Sequence, residues 1–160
     1  MNFSKIEKCD VVNGAGIRVS LFVSGCRLNC SGCFNKVAQD FKAGQEFTQK
    51  TIDEVLTLCE NEFISGLSIL GGEPLDEKNI KSVVELLDAF REKFGYAKTI
   101  WLWSGFTLEE LRARGSYFVD VVLEEVDVLV DGRFVEAMKD PTLPHRGSSN
   151  QRVLHKGKDF

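Results

Sequence analysis

Cys26, Cys30 and Cys33 stand in the run GCRLNCSGCF directly after an apolar stretch, and the turn Gly71-Gly72-Glu73-Pro74 follows a second such stretch. Thiolates this closely spaced, on a loop containing Gly25 and Gly32, can turn inward around one metal centre without straining the backbone. Three ligands leave one iron of a four-iron cluster unclaimed. A coordination position without a protein ligand is where a substrate or cofactor reaches the metal, so the glycine turn reads as the place of an organic cofactor.

Two other uses of the thiols must be weighed. Disulfide pairing is disfavoured because the five cysteines are an odd number, and the opening MNFSKIEKCD carries no basic and apolar export signal. A reducing, cytoplasmic compartment is therefore expected. Zinc stays open on the cysteine run alone, since three thiolates plus Cys9, Cys59, His145 or His155 would close a tetrahedral site. Zinc sites usually show a second Cys or His pair at similar spacing, which is not visible here. Cys9 and Cys59 stand alone, Cys59 on the apolar face of a predicted helix, and both read as small buried hydrophobes.

With 160 residues and 43% hydrophobic content, the chain suffices for one compact domain over 1–160. A formal net charge of -4 gives no basic footprint for nucleic acid, and no apolar run approaches a bilayer span. Neither nucleic acid nor membrane is expected as a partner. The acidic residues fall mostly on helical faces such as Glu109-Glu110 and Glu124-Glu125, where solvated surface is the default.

The elements that must position the motifs follow from periodicity. Ile17 to Ser24 reads as a buried strand after a turn at Asn13 to Gly16, and the cysteine loop leaves its carboxyl end. A helix is expected over Thr51 to Glu62, a strand over Gly66 to Leu70, and an amphipathic helix from Leu75 or Asp76 to Phe94. Strands at Thr99 to Trp103, Asp127 to Asp131 and Gln151 to His155 follow, with short helices at Leu108 to Arg114 and Tyr117 to Glu124 and a long loop from Lys139 to Asn150. Strand, loop and helix alternate, which is the pattern of an α/β fold with mostly parallel strands and right-handed crossovers. The loops Cys26 to Cys33, Gly71 to Pro74, Ser104-Gly105 and Asp131-Gly132 should then converge on one sheet edge. Too few strands are present for a full eight-stranded barrel, so an open or partial (β/α) barrel is expected, its missing side covered by a partner. Monomer and homodimer are both compatible with the sequence.

The Cys-x3-Cys-x2-Cys run and the Gly-Gly-Glu-Pro turn, in this order, resemble the radical S-adenosylmethionine (SAM) enzymes. Within them, VNGAGIR at Val12 to Arg18, the segment Cys30 to Asn35, WLWSGF at Trp101 to Phe106, LVDGRF at Leu129 to Phe134 and RGSSNQR at Arg146 to Arg152 are similar to the branch that activates anaerobic ribonucleotide reductase. The likeness spans nearly the whole chain. Most of the superfamily has an aromatic residue before the third cysteine; Gly32 stands here, with Phe34 after the cysteine, as in the activating branch. The branch's usual proline in the Asn-Gly-Pro-Gly turn is Ala15, which leaves that turn less rigid.

The resemblance implies that Cys26, Cys30 and Cys33 hold three irons of a 4Fe-4S cluster while SAM chelates the fourth. Gly71, Gly72 and Glu73 would receive the methionine amino group, and Ser104 and Asp131 would line the same cavity, Asp131 alternatively capping a turn. Arg133 would meet the SAM carboxylate or lie on the surface, and Asn35 and Asn150 would bond the cofactor or fix their loops. Trp101, Trp103 and Phe106 are expected to pack the sheet rather than stack on adenine, one tryptophan facing each side.

By the same resemblance, an external, flavodoxin-like donor reduces the cluster, SAM is split to methionine and a 5′-deoxyadenosyl radical, and that radical takes a hydrogen atom from a glycine of the reductase large subunit. No further catalytic side chain is implied. Competing readings keep the chemistry and change the target to another glycyl radical enzyme or a small metabolite, or make the chain a zinc-binding adaptor without catalysis. A short chain builds no closed substrate chamber easily, which favours a macromolecular substrate that inserts its own loop.

Overall fold

The computed structural model describes residues 1–160 as one seven-stranded sheet with four α-helices. The strands are β1 (Asn2–Asp10), β2 (Ile17–Ser24), β3 (Gln45–Glu46), β4 (Ile64–Gly71), β5 (Thr99–Trp103), β6 (Val128–Asp131) and β7 (Arg152–His155). Helices α1 (Gln49–Cys59) and α2 (Ile80–Phe94) flank β4, and α3 (Leu108–Ala113) and α4 (Tyr117–Glu125) join β5 to β6. The strand order is β3-β1-β2-β4-β5-β6-β7.

The centre is parallel: β2 pairs with β4, β4 with β5, and β5 with β6. Both flanks are antiparallel, through β1 with β2 and β3 and through β7 with β6. The sheet is not closed, and β3 and β7 are its free edges. Because the four parallel strands follow one another in a single direction across the sheet, successive right-handed crossovers place their helices on the same face. One core accordingly joins residues of all four helices to Val19, Leu21, Val23, Leu67, Ile69, Ile100, Leu102 and Leu129.

The alternate residues point to the other face, where Arg18, Ser20, Ser24, Ser68, Trp101, Val128 and Val130 are also buried. Trp101 and Trp103, two positions apart, share this face and stack at 5.8 Å between ring centroids. The expectation of one tryptophan on each side is thereby corrected, because strand side chains repeat with period two. Part of this face is covered by the long connection from β6 to β7, whose His145 carbonyl accepts a hydrogen bond from Trp103 Nε1 at 2.7 Å. That connection is itself tied down by a bridge between Lys139 and Ser148.

Arg18 is fully buried beneath the Asn13 to Gly16 turn. Its guanidinium donates to Ser68 Oγ at 2.7 Å, Leu67 O at 2.8 Å, Thr99 O at 2.8 Å, Thr99 Oγ1 at 3.0 Å and Ala15 O at 3.1 Å. With five neutral acceptors and no carboxylate in contact, burial lowers its pKa to about 10.

Two expectations move. The helix predicted from Leu75 or Asp76 begins at Ile80, because the Asp76 carboxylate accepts from Lys78 N at 3.0 Å and holds this stretch as a turn. The strand β1 was not anticipated: its pairing with β2 is irregular at two places, which erases the alternation that marks a strand.

Candidate functional site

The cysteine loop is closed at its base by two backbone bonds, Gly25 N to Ala38 O at 2.7 Å and Cys26 N to Gln39 O at 3.1 Å. The turn after β4 docks on that base. Gly72 N donates to Val23 O and Glu73 N to Gly25 O, each at 2.8 Å. A methyl group on Gly72 would lie 2.6 Å from the Gly25 carbonyl oxygen and 2.9 Å from that of Ala38, so only glycine permits this approach. Asn79, fully buried just before α2, donates from Nδ2 to Ser24 O at 3.0 Å, Gly25 O at 3.3 Å and Glu73 O at 2.9 Å.

Glu73 extends the joint to the next strand. Its Oε1 accepts from Ser104 Oγ at 2.9 Å and Leu75 N at 2.9 Å, and its Oε2 from Gly105 N at 2.7 Å. Burial pushes the Glu73 carboxyl up to about 7, against the opposing pull of these three donors. Asp131, buried at the end of β6, accepts from Leu108 N at 2.7 Å, which ties it to the first turn of α3, and from Arg152 Nε at 2.9 Å. The four loops expected at one sheet edge are therefore in contact there: cysteine loop to glycine turn, glycine turn to Ser104-Gly105, and Gly132 N to Phe106 O at 3.3 Å.

The remaining residues singled out in the sequence lie around this edge. Arg133 donates to Glu110 Oε1 at 2.9 Å, and its guanidinium stands 5.6 Å from the centre of the Phe106 ring. Asn35 caps a short 3-10 turn, Lys36–Gln39, by accepting from Ala38 N at 3.3 Å. Asn150 donates to Arg133 O at 2.8 Å, while its own Oδ1 is buried without a partner. Sequence reading missed Asn79, whose place just before a helix resembles an ordinary cap, and Glu136, which accepts from Ser31 Oγ at 3.2 Å and packs on Gly32.

All five cysteines are free. Cys26, Cys30 and Cys33 are half-buried on the loop, and no three acidic, histidine or cysteine side chains are drawn together tightly enough for a single metal ion. Backbone N–H groups of Leu28 and Asn29 oppose the upward push of burial on the Cys26 thiol. The other candidate zinc ligands are elsewhere. Cys9, exposed rather than buried as expected, lies beside Asp10, which pairs with Arg18 near the start of β2, roughly 20 Å of strand away from the cysteine loop. His155 pairs with Val128 at the start of β6, and His145 Nδ1 lies 3.2 Å from Gly14 N, both at that same far end. Cys59 is in the core, where burial pushes its thiol up to about 12. The donor set thus offers three thiols on one glycine-built loop, with Cys9, Cys59, His145 and His155 all away from it, which fits a cluster that takes its last ligand from outside the chain.

A family described as a 4Fe-4S single cluster domain matches residues 12–154. The anaerobic ribonucleoside-triphosphate reductase-activating protein of Escherichia coli (strain K12) is 41% identical over 157 residues, covering 97% of this chain and 99% of that protein. The chain belongs to this activating-protein family. Members from Vibrio cholerae, 39% identical over 158 residues and 98% of both chains, and from phage T4, 37% identical over 153 residues, 96% of this chain and 93% of that one, match it at similar length. A 4Fe-4S domain therefore spans the edge described above, and none of the four residues expected to complete a zinc site lies near the cysteine loop.

Proposed function

We propose that the chain activates an anaerobic ribonucleotide reductase by reductive cleavage of SAM at a 4Fe-4S cluster held by Cys26, Cys30 and Cys33. The observation that carries this reading is the docking of the glycine turn on the base of the cysteine loop, in a family whose named members activate that enzyme. When bound, the cluster supplies the electron that splits SAM, so that a glycine of the reductase loses a hydrogen atom and becomes a radical.

The chain's own residues bind and orient. Gly71, Gly72 and Glu73 present backbone to the methionine amino group; the Gly72 carbonyl accepts no hydrogen bond within the chain and suits an ammonium donor. Ser104, Asp131, Asn35 and Arg133 border the cavity, with Ser104 and Asp131 acting through the bonds that hold Glu73 and α3 in place. The open sheet serves as the wall of a partial (β/α) barrel within a single radical SAM domain, 1–160. Its free edges β3 and β7 leave room for a partner, the reductase or a second copy in a homodimer. A flavodoxin-like protein delivers the electron, in the cytoplasm. No helix is long and apolar enough to cross a membrane.

The test is to mix reduced, cluster-loaded protein with SAM and an anaerobic ribonucleotide reductase. A glycyl radical signal in electron paramagnetic resonance is expected; its absence, with colourless protein containing stoichiometric zinc, would overturn the reading.

A further inference from the structure

Asn79 occupies the position from which an asparagine ordinarily caps a helix, yet its side chain makes no capping bond to α2. It turns instead into the joint between the two motifs. Through Nδ2 it reaches the carbonyls of Ser24 and Gly25 on the cysteine loop, and that of Glu73 on the glycine turn. Among side-chain hydrogen bonds, these are the ones that link the two motifs directly. The residue is fully buried, and its Oδ1 has no hydrogen-bond partner. The Nδ2 bonds are therefore the side chain's only polar contacts, and all of them go to the joint.

We propose that Asn79 is a positioning residue: it sets the distance between the cysteine loop and the turn that receives SAM, and so where SAM stands on the cluster. This rests on the reading that Gly71 to Glu73 bind the methionine end of SAM. The reason is geometric. The loop base and the turn otherwise meet through the β2–β4 pairing that ends at Val23 and Gly71, the two backbone bonds at Val23 and Gly25, and the ion pair of Arg27 with Asp76 at 3.2 Å. The buried Asn79 amide, bonded to carbonyls on both sides, adds a tie at the point where the turn leaves the strand and so fixes how close Glu73 comes to Gly25. Correct placement of reacting groups is worth far more to a reaction than to folding.

The experiment compares the full chain with Asn79→Asp, which keeps shape while replacing both donors by acceptors, and with Val83→Ala, a change one turn further along the same helix whose side chain lies in the hydrophobic core and makes no contact of its own with the joint carbonyls. In the metal-free proteins, the Gly25 and Glu73 amides of the Asp variant should exchange at least tenfold faster than in the Val83 control at matched thermal stability. In the reconstituted proteins, the Asp variant should hold iron as the wild type does, show an altered change in the cluster's paramagnetic spectrum when SAM is added, and raise KM for SAM at least tenfold. Val83→Ala should do neither. Should the Asp variant fail to fold, Asn79→Ser, which retains one donor, should give the same changes in smaller measure. A variant whose SAM-bound spectrum and KM equal the wild type's would overturn the proposal. A wild type whose spectrum does not respond to SAM would sink the underlying reading and the proposal with it.

Discussion

The Gly72→Ala variant tests the contact on which the site rests. Gly72 is not in the left-handed backbone region, so the added methyl is resisted by its neighbours alone. It would sit 2.6 Å from the Gly25 oxygen, where an ordinary contact begins at 3.4 Å, so the loop base must retreat by about 0.8 Å. The atoms in the way are backbone and cannot swing aside. A retreat of this size lengthens the bonds from Glu73 N to Gly25 O and from Gly72 N to Val23 O, both 2.8 Å in the native joint. Overpacking of this kind costs about 2 kcal/mol, which lowers the melting temperature of a chain this long by about 4–8 °C. The effect on chemistry should be larger, because a displacement near 1 Å between positioned groups lowers rates on the order of 100-fold. Thermal unfolding of the metal-free protein and the rate of SAM cleavage by the reconstituted protein measure the two. A variant that melts within 1 °C of the wild type and cleaves SAM within about twofold of its rate would show that the glycine turn is not pressed on the cysteine loop.

Three further outcomes follow from the same structure. Cys30→Ala should lose the cluster and abolish SAM cleavage, whereas Cys59→Ala, in the core, should spare both and cost about 1 kcal/mol of stability, as read by iron content, product formation and urea midpoint. Glu73, with its carboxyl raised to about 7 from an ordinary 4.5, favours the fold fully below pH 4.5 and loses that contribution as pH rises through 7. The metal-free protein should thus lose on the order of 3 kcal/mol from this group across that window, and Glu73→Gln should flatten the slope in urea unfolding. Arg18→Met should strand the acceptors on Leu67, Ser68 and Thr99 and cost about 3 kcal/mol, lowering the urea midpoint while leaving iron content unchanged.

The parallel centre was legible in the sequence because Ile17–Ser24 and Thr99–Trp103 are apolar runs bounded by turns, and their bounds coincide with β2 and β5. So was the flank at β7, Arg152–His155, which falls within the strand expected at Gln151 to His155, whereas the opposite flank was not. Without a regular alternation β1 carries no signal, and β3, of two residues, is set by its partner rather than by its own residues. The start of α2 was misread because Leu75 is buried like a helix residue although it belongs to the turn that precedes the helix.

The same division runs through the site, and its cause lies in what a sequence records. Cys26, Cys30 and Cys33 announce themselves because their side-chain chemistry is unusual and their spacing is short. Asn79 and Arg18 work by donating to backbone carbonyls, and an acceptor that every residue possesses leaves no mark at the other end of the bond. Gly72 is visible as a turn residue, but the atoms that forbid a methyl there belong to Gly25 and Ala38, 47 and 34 positions away in the chain. The residues that touch a ligand are therefore the readable ones, while those that set the distance between ligand-bearing segments become visible only when the segments are seen together. Substitutions at the second class should pass unnoticed in motif searches and yet alter the placement of SAM as much as changes at the first.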